Sequence, residues 1–357
     1  MAGADQERLA ARTLELVDIP SESRREGALA EHVRGLLPAP LERRHDVGAA
    51  LLVAPPRRPS RPLVLFAGHL DTVPAQANIP GRRADGAVYG LGASDMKAGL
   101  AVMVELARWI ALDDPELELD AAFLFFPREE LPAEESALPE LFAAAPFIQE
   151  SDLVVMMEPT DNTVQPGCLG NMNARIHFHG ESAHSARPWQ GVNAIELALE
   201  GLGPVAAVEP LPVEIQGLTY TEVLSITGID GGIASNVIPD HASALVNFRY
   251  APTRSPEEAE ARLRSLVDGR GEVEVLSNSP SGRVAAEAPL VHRLRDVGPF
   301  GVEPKQAWTP VAEFSARGLD AVNFGPGATR FAHRRDEQVP EENLAVSYHA
   351  LQRFLAG

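Results

Sequence analysis

Six side chains spread along the sequence are of the kinds that bind divalent cations or move protons: His69, Asp95, Glu129, Glu130, Glu158 and His333. His69 and Asp71 are two apart, so on extended backbone they project to the same side. A ligating imidazole commonly relies on a nearby carboxylate to hold its tautomer, and His69-x-Asp71 reads as a ligand with its orienting acid. Asp95 ends a Gly90-x-Gly92-x-x-Asp95 run that lacks the third glycine of a dinucleotide loop. At the start of a helix it is either an N-cap or a carboxylate able to bridge two ions. Glu129 and Glu130 are adjacent. On extended backbone they diverge and cannot face each other across a substrate as glycosidase pairs do, about 5 to 10 Å apart. They can instead divide two tasks, one binding metal and the other moving protons, unless they and Glu134-Glu135 form a plain acidic loop. Glu158 directly follows an apolar run and needs a partner there. Taken singly, each group also fits an ordinary structural or surface role. Together, two imidazoles and three carboxylates, with a fourth carboxylate as base, suit two Zn²⁺ ions sharing a bridging aspartate, roughly 3.5 to 4 Å apart.

Such convergence needs elements that deliver the groups to one place. Four short apolar runs, residues 63–67, 121–126, 153–157 and 321–324, are each followed at once by polar residues: Gly68-His69-Leu70-Asp71, Pro127-Arg128-Glu129-Glu130, Glu158-Pro159-Thr160 and Gly325-Pro326-Gly327. Continuous hydrophobicity marks strands covered on both faces, and in open α/β sheets ligands sit beyond the carboxyl ends of the strands. In residues 98–112, Leu100, Met103, Val104, Ala107 and Ala111 share one helical face, as a helix packed on a sheet requires. This part reads as an α/β/α sandwich. From about residue 174 to 286 the pattern becomes β-α-β-β-α-β, the split βαβ unit of a small ferredoxin-like α+β domain. The expected organisation is therefore one domain from 1–173 and 287–357, with a second, 174–286, inserted in it.

Composition narrows the function. With 31 Lys+Arg against 50 Asp+Glu the formal net charge is −19, which argues against nucleic acid or an anionic membrane surface as partner. At 45% hydrophobic and 23% charged residues the chain can bury a core. The lone cysteine, Cys168, excludes an intrachain disulfide and a thiolate zinc site, and points to a reducing cytoplasm. Residues 1–20 carry charges on an amphipathic helical pattern unlike a secretion signal. The most apolar long stretch, 98–112, is interrupted by Glu105 and Arg108 and is shorter than the ~20 residues that span a bilayer.

The motifs Gly68-His69-Leu70-Asp71-Thr72-Val73-Pro74, Gly90-x-Gly-x-x-Asp95-Met96-Lys97, Glu129-Glu130, Glu158-Pro159-Thr160 and His333-x-x-Asp336-Glu337 occur in the order and spacing of a known superfamily. The whole chain resembles the cocatalytic zinc hydrolases that include aminoacylase, acetylornithine deacetylase, glutamate carboxypeptidase and the desuccinylases. Residues 126–136, 158–162, 167–170 and 183–189 are similar to the desuccinylase branch. The resemblance implies a phosphorylase/hydrolase-like catalytic domain with a lid and dimerisation domain, acting as a homodimer. It implies that His69 and Glu158 hold one zinc, Glu130 and His333 the other, and Asp95 bridges both, with cobalt accommodated by the same ligands. Glu129 would be the general base, Asp71 would orient His69, and His184 would reach the partner subunit's site to stabilise the oxyanion. Arg249, Asn236, Gly325 and Gly327 would contact substrate. The implied reaction is hydrolysis of N-succinyl-LL-2,6-diaminopimelate. The alternatives are another N-acyl-amino-acid deacylase, a metallo-dipeptidase, or a metal-free scaffold that kept the fold. Where many desuccinylases carry an Arg-Arg-Gly-Ser type segment this chain has Gly167-Cys168-Leu169-Gly170-Asn171, and where relatives often have Thr-Asp followed by Arg-Phe it has Thr309-Pro310-Val311-Ala312-Glu313-Phe314; both departures touch substrate recognition rather than the metals.

Overall fold

Leu63–His69 is buried at all of its positions, and it lies near the middle of a seven-stranded sheet. The strand order is Glu42–Val47, Ala50–Ala54, Asp120–Phe126, Leu63–His69, Leu153–Met156, Ala321–Asn323, Gln165–Pro166. The four strands expected from the apolar runs are neighbours and run parallel, so their carboxyl ends emerge at one edge. Antiparallel strands flank them on both sides. The structure, a computed structural model, describes residues 2–357.

Helices Ala2–Val17, Lys97–Asp113 and Glu341–Ala356 pack against one another beside this sheet. Residues 98–107 are buried all round rather than on one face, while Ala111 is half-exposed, because the helix is enclosed by the other two helices as well as by strands. Phe66 and Phe123 stack across adjacent strands with centroids 5.5 Å apart. Burying each such ring contributes about 1.5–3 kcal/mol.

The chain divides into two compact units. One runs to Gly167 and takes up Ala285–Glu303 and Glu313–Gly357; the other comprises Cys168–Val284 and Pro304–Ala312. The breaks thus fall a few residues before those expected at 173/174 and 286/287, and residues 304–312 sit with the second unit. The first shift arises because strand Gly170–His179 already pairs at Gly170, opposite Tyr250. Its early outward residues, Asn171 and Asn173, hide that start in the sequence.

In the second unit the antiparallel order is Leu211–Ile215, Leu218–Gly231, His241–Tyr250, Gly170–His179, Glu272–Ser279. Along Gly170–His179, Met172, Ala174, Ile176 and Phe178 enter a core shared with Ala198, Leu202, Ala259 and Leu263 of helices Ala194–Ala206 and Pro256–Val267. The four longer strands follow the expected ferredoxin-like scheme. Leu211–Ile215 is an addition, an exposed edge strand carrying Pro212. It is joined to its neighbour by the two-residue turn Gln216-Gly217, whose φ values of +49° and +78° fit a primed hairpin turn. Among the described residues no helix is long and apolar enough to cross a membrane.

Gly99 makes the closest approach between the helix beginning at Lys97 and the strand end that carries Glu158. A Cβ there would lie 2.4 Å from the Met157 carbonyl oxygen. Gly99→Ala is therefore expected to destabilise by about 1–3 kcal/mol through overpacking. Gly35→Ala, with nothing within 4 Å of its added carbon, should be neutral or stabilising by up to about 1 kcal/mol. Thermal unfolding of the two variants checks this, and equal melting temperatures would contradict it.

Candidate metal centre

The shared sheet edge brings the predicted ligands within reach of one another. His69 closes its strand and is 1% exposed; its Nε2 lies 3.2 Å from Asp95 Oδ1 and 4.0 Å from Glu158 Oε1. His333 Nε2 lies 3.0 Å from Glu130 Oε1 and 3.5 Å from Asp95 Oδ2. The two oxygens of Asp95 thus face two different imidazoles. Two three-residue groups result, His69/Asp95/Glu158 and Asp95/Glu130/His333, each with its ligand atoms within 4.8 Å of one another. His69, Glu129 and Glu130 form a third such group. The cap of the following helix is Met96 rather than Asp95, so Asp95 is free of the capping role it had as an alternative. The Asp95–Met96 peptide is cis. Arg128, just before the acidic pair, and His333 hold φ values of +64° and +59°, conformations that non-glycine residues adopt at a cost and that gather at functional turns.

A second layer fixes these ligands. Asp71 was expected to orient His69 through its carboxylate, yet His69 Nδ1 donates to the Asp71 main-chain oxygen at 3.0 Å while the nearer carboxylate oxygen is 3.7 Å away. The carboxylate instead accepts from the backbone amides of Glu129, at 2.9 Å, and Glu130, at 3.0 Å, and from the Ser23 hydroxyl, at 2.8 Å. The carboxylate therefore holds the acidic pair, while the main-chain oxygen holds the imidazole. Glu337, 2% exposed, accepts from the amides of Gly92, Ser94 and Asp95, each at 2.9 Å. It anchors the loop that presents Asp95. No role for Glu337 or Ser23 is legible in the sequence; the only signal was the position of Glu337 beside Asp336 at the end of a motif.

Gly325 and Gly327 sit against this layer. A Cβ at Gly325 would lie 2.5 Å from Glu158 O, and one at Gly327 would lie 2.2 Å from Ser94 O. The Gly325 amide already donates to Thr160 Oγ1 at 3.0 Å. Close packing beneath Glu158 and Asp95 accounts for both glycines.

So many acids in one place reshape their proton affinities. For His69, burial acts to lower the pKa, but the Asp95 hydrogen bond and the charges of Glu129, Glu158 and Asp95 raise it well above the usual value. His333, hydrogen-bonded first to Asp95 and then to Glu130, is raised to about 10. Burial acts to raise Asp95, yet the two imidazoles hold it below the usual carboxylate range. Glu129 moves well upward, through burial and then the surrounding carboxylates, against the pull of His69. Burial likewise lifts Glu337 to about 7 despite its three amide donors. Imidazole and carboxylate donors grouped in threes around a shared Asp95 fit a pair of divalent cations.

The other predicted residues belong to the second unit. Exposed His184 lies on the short strand Ala183–His184, paired with Val237–Ile238. The Ala186 amide donates to its Nδ1 at 3.1 Å, which leaves Nε2 as the N–H that can donate outward. Asn236 is brought beside it, its carbonyl accepting from the Ser185 amide at 3.0 Å. Arg249, on strand His241–Tyr250, is half-buried and donates from Nε to Asn247 Oδ1 at 3.0 Å. It makes no ion pair among the described residues, and burial lowers its pKa. Its guanidinium therefore keeps donors for an external carboxylate.

A Mycobacterium tuberculosis protein bearing the name succinyl-diaminopimelate desuccinylase DapE is 37% identical over 349 residues, 97% of each chain. The succinyl-diaminopimelate desuccinylase of Corynebacterium glutamicum is 36% identical over 96% of this chain and 95% of its own. Among solved structures, the Bacillus subtilis YXEP protein, described as a dinuclear metal-binding peptidase, superposes with a TM-score of 0.72 at 18% identity, covering 99% of this chain and 98% of that one. The profile of peptidase family M20/M25/M40 matches residues 65–357, and the chain belongs to that family.

Proposed function

We propose that this chain is a metal-dependent amidohydrolase that cleaves N-succinyl-LL-2,6-diaminopimelate to succinate and LL-2,6-diaminopimelate. The observation that carries the reading is the pair of ligand groups sharing Asp95, in a chain 37% identical over 97% of its length to a protein named for that reaction. His69 and Glu158 would hold one ion, Glu130 and His333 the other, with Asp95 between them. Zinc is the proposed metal and cobalt the alternative, and two ions per chain are proposed because two of the three ligand groups share Asp95 and a neighbour of the same fold is described as dinuclear. When bound, the ions polarise the scissile carbonyl and ease ionisation of the attacking water.

The protein's own groups do the rest. Glu129 accepts the proton of the attacking water and returns it to the leaving amine nitrogen as the carbon–nitrogen bond breaks. Its raised proton affinity suits a group that must hold a proton between two steps. Asp71 fixes the Glu129 and Glu130 amides and so keeps base and ligand in register. His184 donates Nε2–H to the tetrahedral oxyanion, from the partner subunit of a homodimer. Arg249 grips a substrate carboxylate bidentately with Asn236 as a further polar contact. Support for a dimer through the second unit comes from its exposed apolar side chains, among them Trp189 at 76% and Ile233 at 84%. The single cysteine is buried, in keeping with a cytoplasmic enzyme.

Three outcomes are expected. Glu129→Gln should keep its metal, measured by atomic absorption, while losing about 10²–10⁴-fold in kcat; activity near wild type would remove Glu129 as base. In a panel of acylated amines with the zinc-loaded protein, the succinylated diaminopimelate should give the highest kcat/KM. Faster turnover of acetylornithine or a dipeptide would replace the substrate while leaving the chemistry. Finally, metal must displace the protons that His69 and His333 retain in the metal-free chain, because coordination needs the imidazole lone pair. Loading should therefore release protons, and affinity should weaken as pH falls, by about tenfold per pH unit for each proton displaced. Chelator competition between pH 6 and 8 reads this, and a flat profile would contradict it.

A further inference from the structure

The second unit carries an imidazole cluster that the hydrolytic site does not use. His177 and His179 are two apart on strand Gly170–His179, and His241 stands directly opposite His179 on strand His241–Tyr250. Glu272 stands opposite His177 on the other side. Because Met172, Ala174, Ile176 and Phe178 point into the core, the intervening His177 and His179 point outward, and His241 joins them. The ring centroids form a triangle with sides of 5.5, 5.6 and 6.2 Å.

Two features distinguish this patch from a chance surface grouping. His177 Nδ1 and His241 Nε2 are 3.3 Å apart. Two nitrogens bound at the usual zinc distance of about 2.0–2.1 Å in a tetrahedron are separated by about 3.3 Å. The outer nitrogens are also engaged as metal-binding imidazoles usually are. His177 Nε2 donates to Glu274 Oε2 at 3.0 Å, which turns its Nδ1 lone pair toward His241, and His179 Nε2 lies 3.5 Å from Glu272 Oε2. A carboxylate behind an imidazole fixes the tautomer and raises its basicity as a ligand. His179 is 62% exposed on its side chain, so rotation can bring its Nδ1 to the same point. Three imidazoles and no thiolate favour zinc, nickel or copper over magnesium or calcium.

We propose that His177, His179 and His241 form a further metal site, independent of the hydrolytic centre, that binds one imidazole-preferring divalent ion such as Zn²⁺ and leaves its fourth position to water. Glu274 and Glu272 are positioning residues for it. The site shares no ligand with His69, Asp95, Glu130, Glu158 or His333.

The test is Zn²⁺ titration by calorimetry of the full-length protein already loaded at its hydrolytic centre, with zinc per chain counted after dialysis. Wild type should take up one further equivalent. His177→Ala and His241→Ala should not, while their hydrolysis rates and unfolding temperatures stay as in wild type. Glu274→Gln should bind the extra ion more weakly. Should an alanine variant fail to fold, His241→Asn, which keeps polarity and size, takes its place. Equal uptake by wild type and the His177 and His241 variants, or no extra uptake by wild type, would overturn the proposal.

Discussion

Like charge forced together is the constraint on which this structure depends. Asp95, Glu129, Glu130 and Glu158 converge on two imidazoles at one end of a parallel sheet, and carboxylates a few ångströms apart in a partly buried setting cannot all stay ionised without compensating cations. The proton affinities of His69, His333 and Glu129 respond to this crowding and all move upward. On the proposed reading the same crowding would serve catalysis, because a carboxylate beside bound cations would be returned toward its ionised form, ready to accept a proton.

Holding such a cluster requires rigid backbone, and the protein supplies it with further carboxylates turned to a different use. Asp71 and Glu337 are buried and spend their oxygens on main-chain amides: two at the Glu129–Glu130 turn for Asp71 and three at residues 92–95 for Glu337. A buried acid satisfied by several N–H donors fixes a loop more tightly than packing alone, since losing it would orphan each of those donors. Gly99, Gly325 and Gly327 complete the arrangement by letting backbone approach backbone where a Cβ would collide. His69, Glu129, Glu130 and Glu158 thus lie at or just beyond strand ends, Asp95 and His333 come from loops, and the buried polar layer fixes the Asp95 loop and the Glu129–Glu130 turn.

This division explains what the sequence disclosed. Four strands were legible because continuous hydrophobicity has few other causes, and the candidate ligands were singled out not one by one, since each also fits an ordinary role, but as a set of imidazoles and carboxylates in one order. The ferredoxin-like order followed from period alone. The buried polar layer was hidden because acceptance of a main-chain amide leaves no trace in residue type: Glu337 and the exposed Asp336 read alike. Asp71 was identified, but the spacing pointed to its neighbour His69, whereas its carboxylate serves residues nearly sixty positions away. The hairpin strand Leu211–Ile215 went unread although Leu211, Val213 and Ile215 alternate, because it is short, exposed at an edge and interrupted by Pro212, and the start of Gly170–His179 was masked by its outward asparagines.

The net charge of −19 first counted against anionic partners, yet the proposed substrate is itself a polycarboxylate. The two facts are reconciled by locality. Beyond a Debye length of about 8–10 Å the summed charge of the chain is screened, so it excludes long polyanions that need a broad basic surface but exerts little control over a small ligand within a site. On the proposed reading the relevant charges would be two divalent ions at the imidazoles, about four positive units, and the half-buried guanidinium of Arg249, which makes no ion pair among the described residues. An arginine left unpaired at that depth is costly unless something else satisfies it. On the proposed function, the acidic composition of the chain and recognition of an anionic substrate are independent properties, the first set over the whole surface and the second by a few local cations.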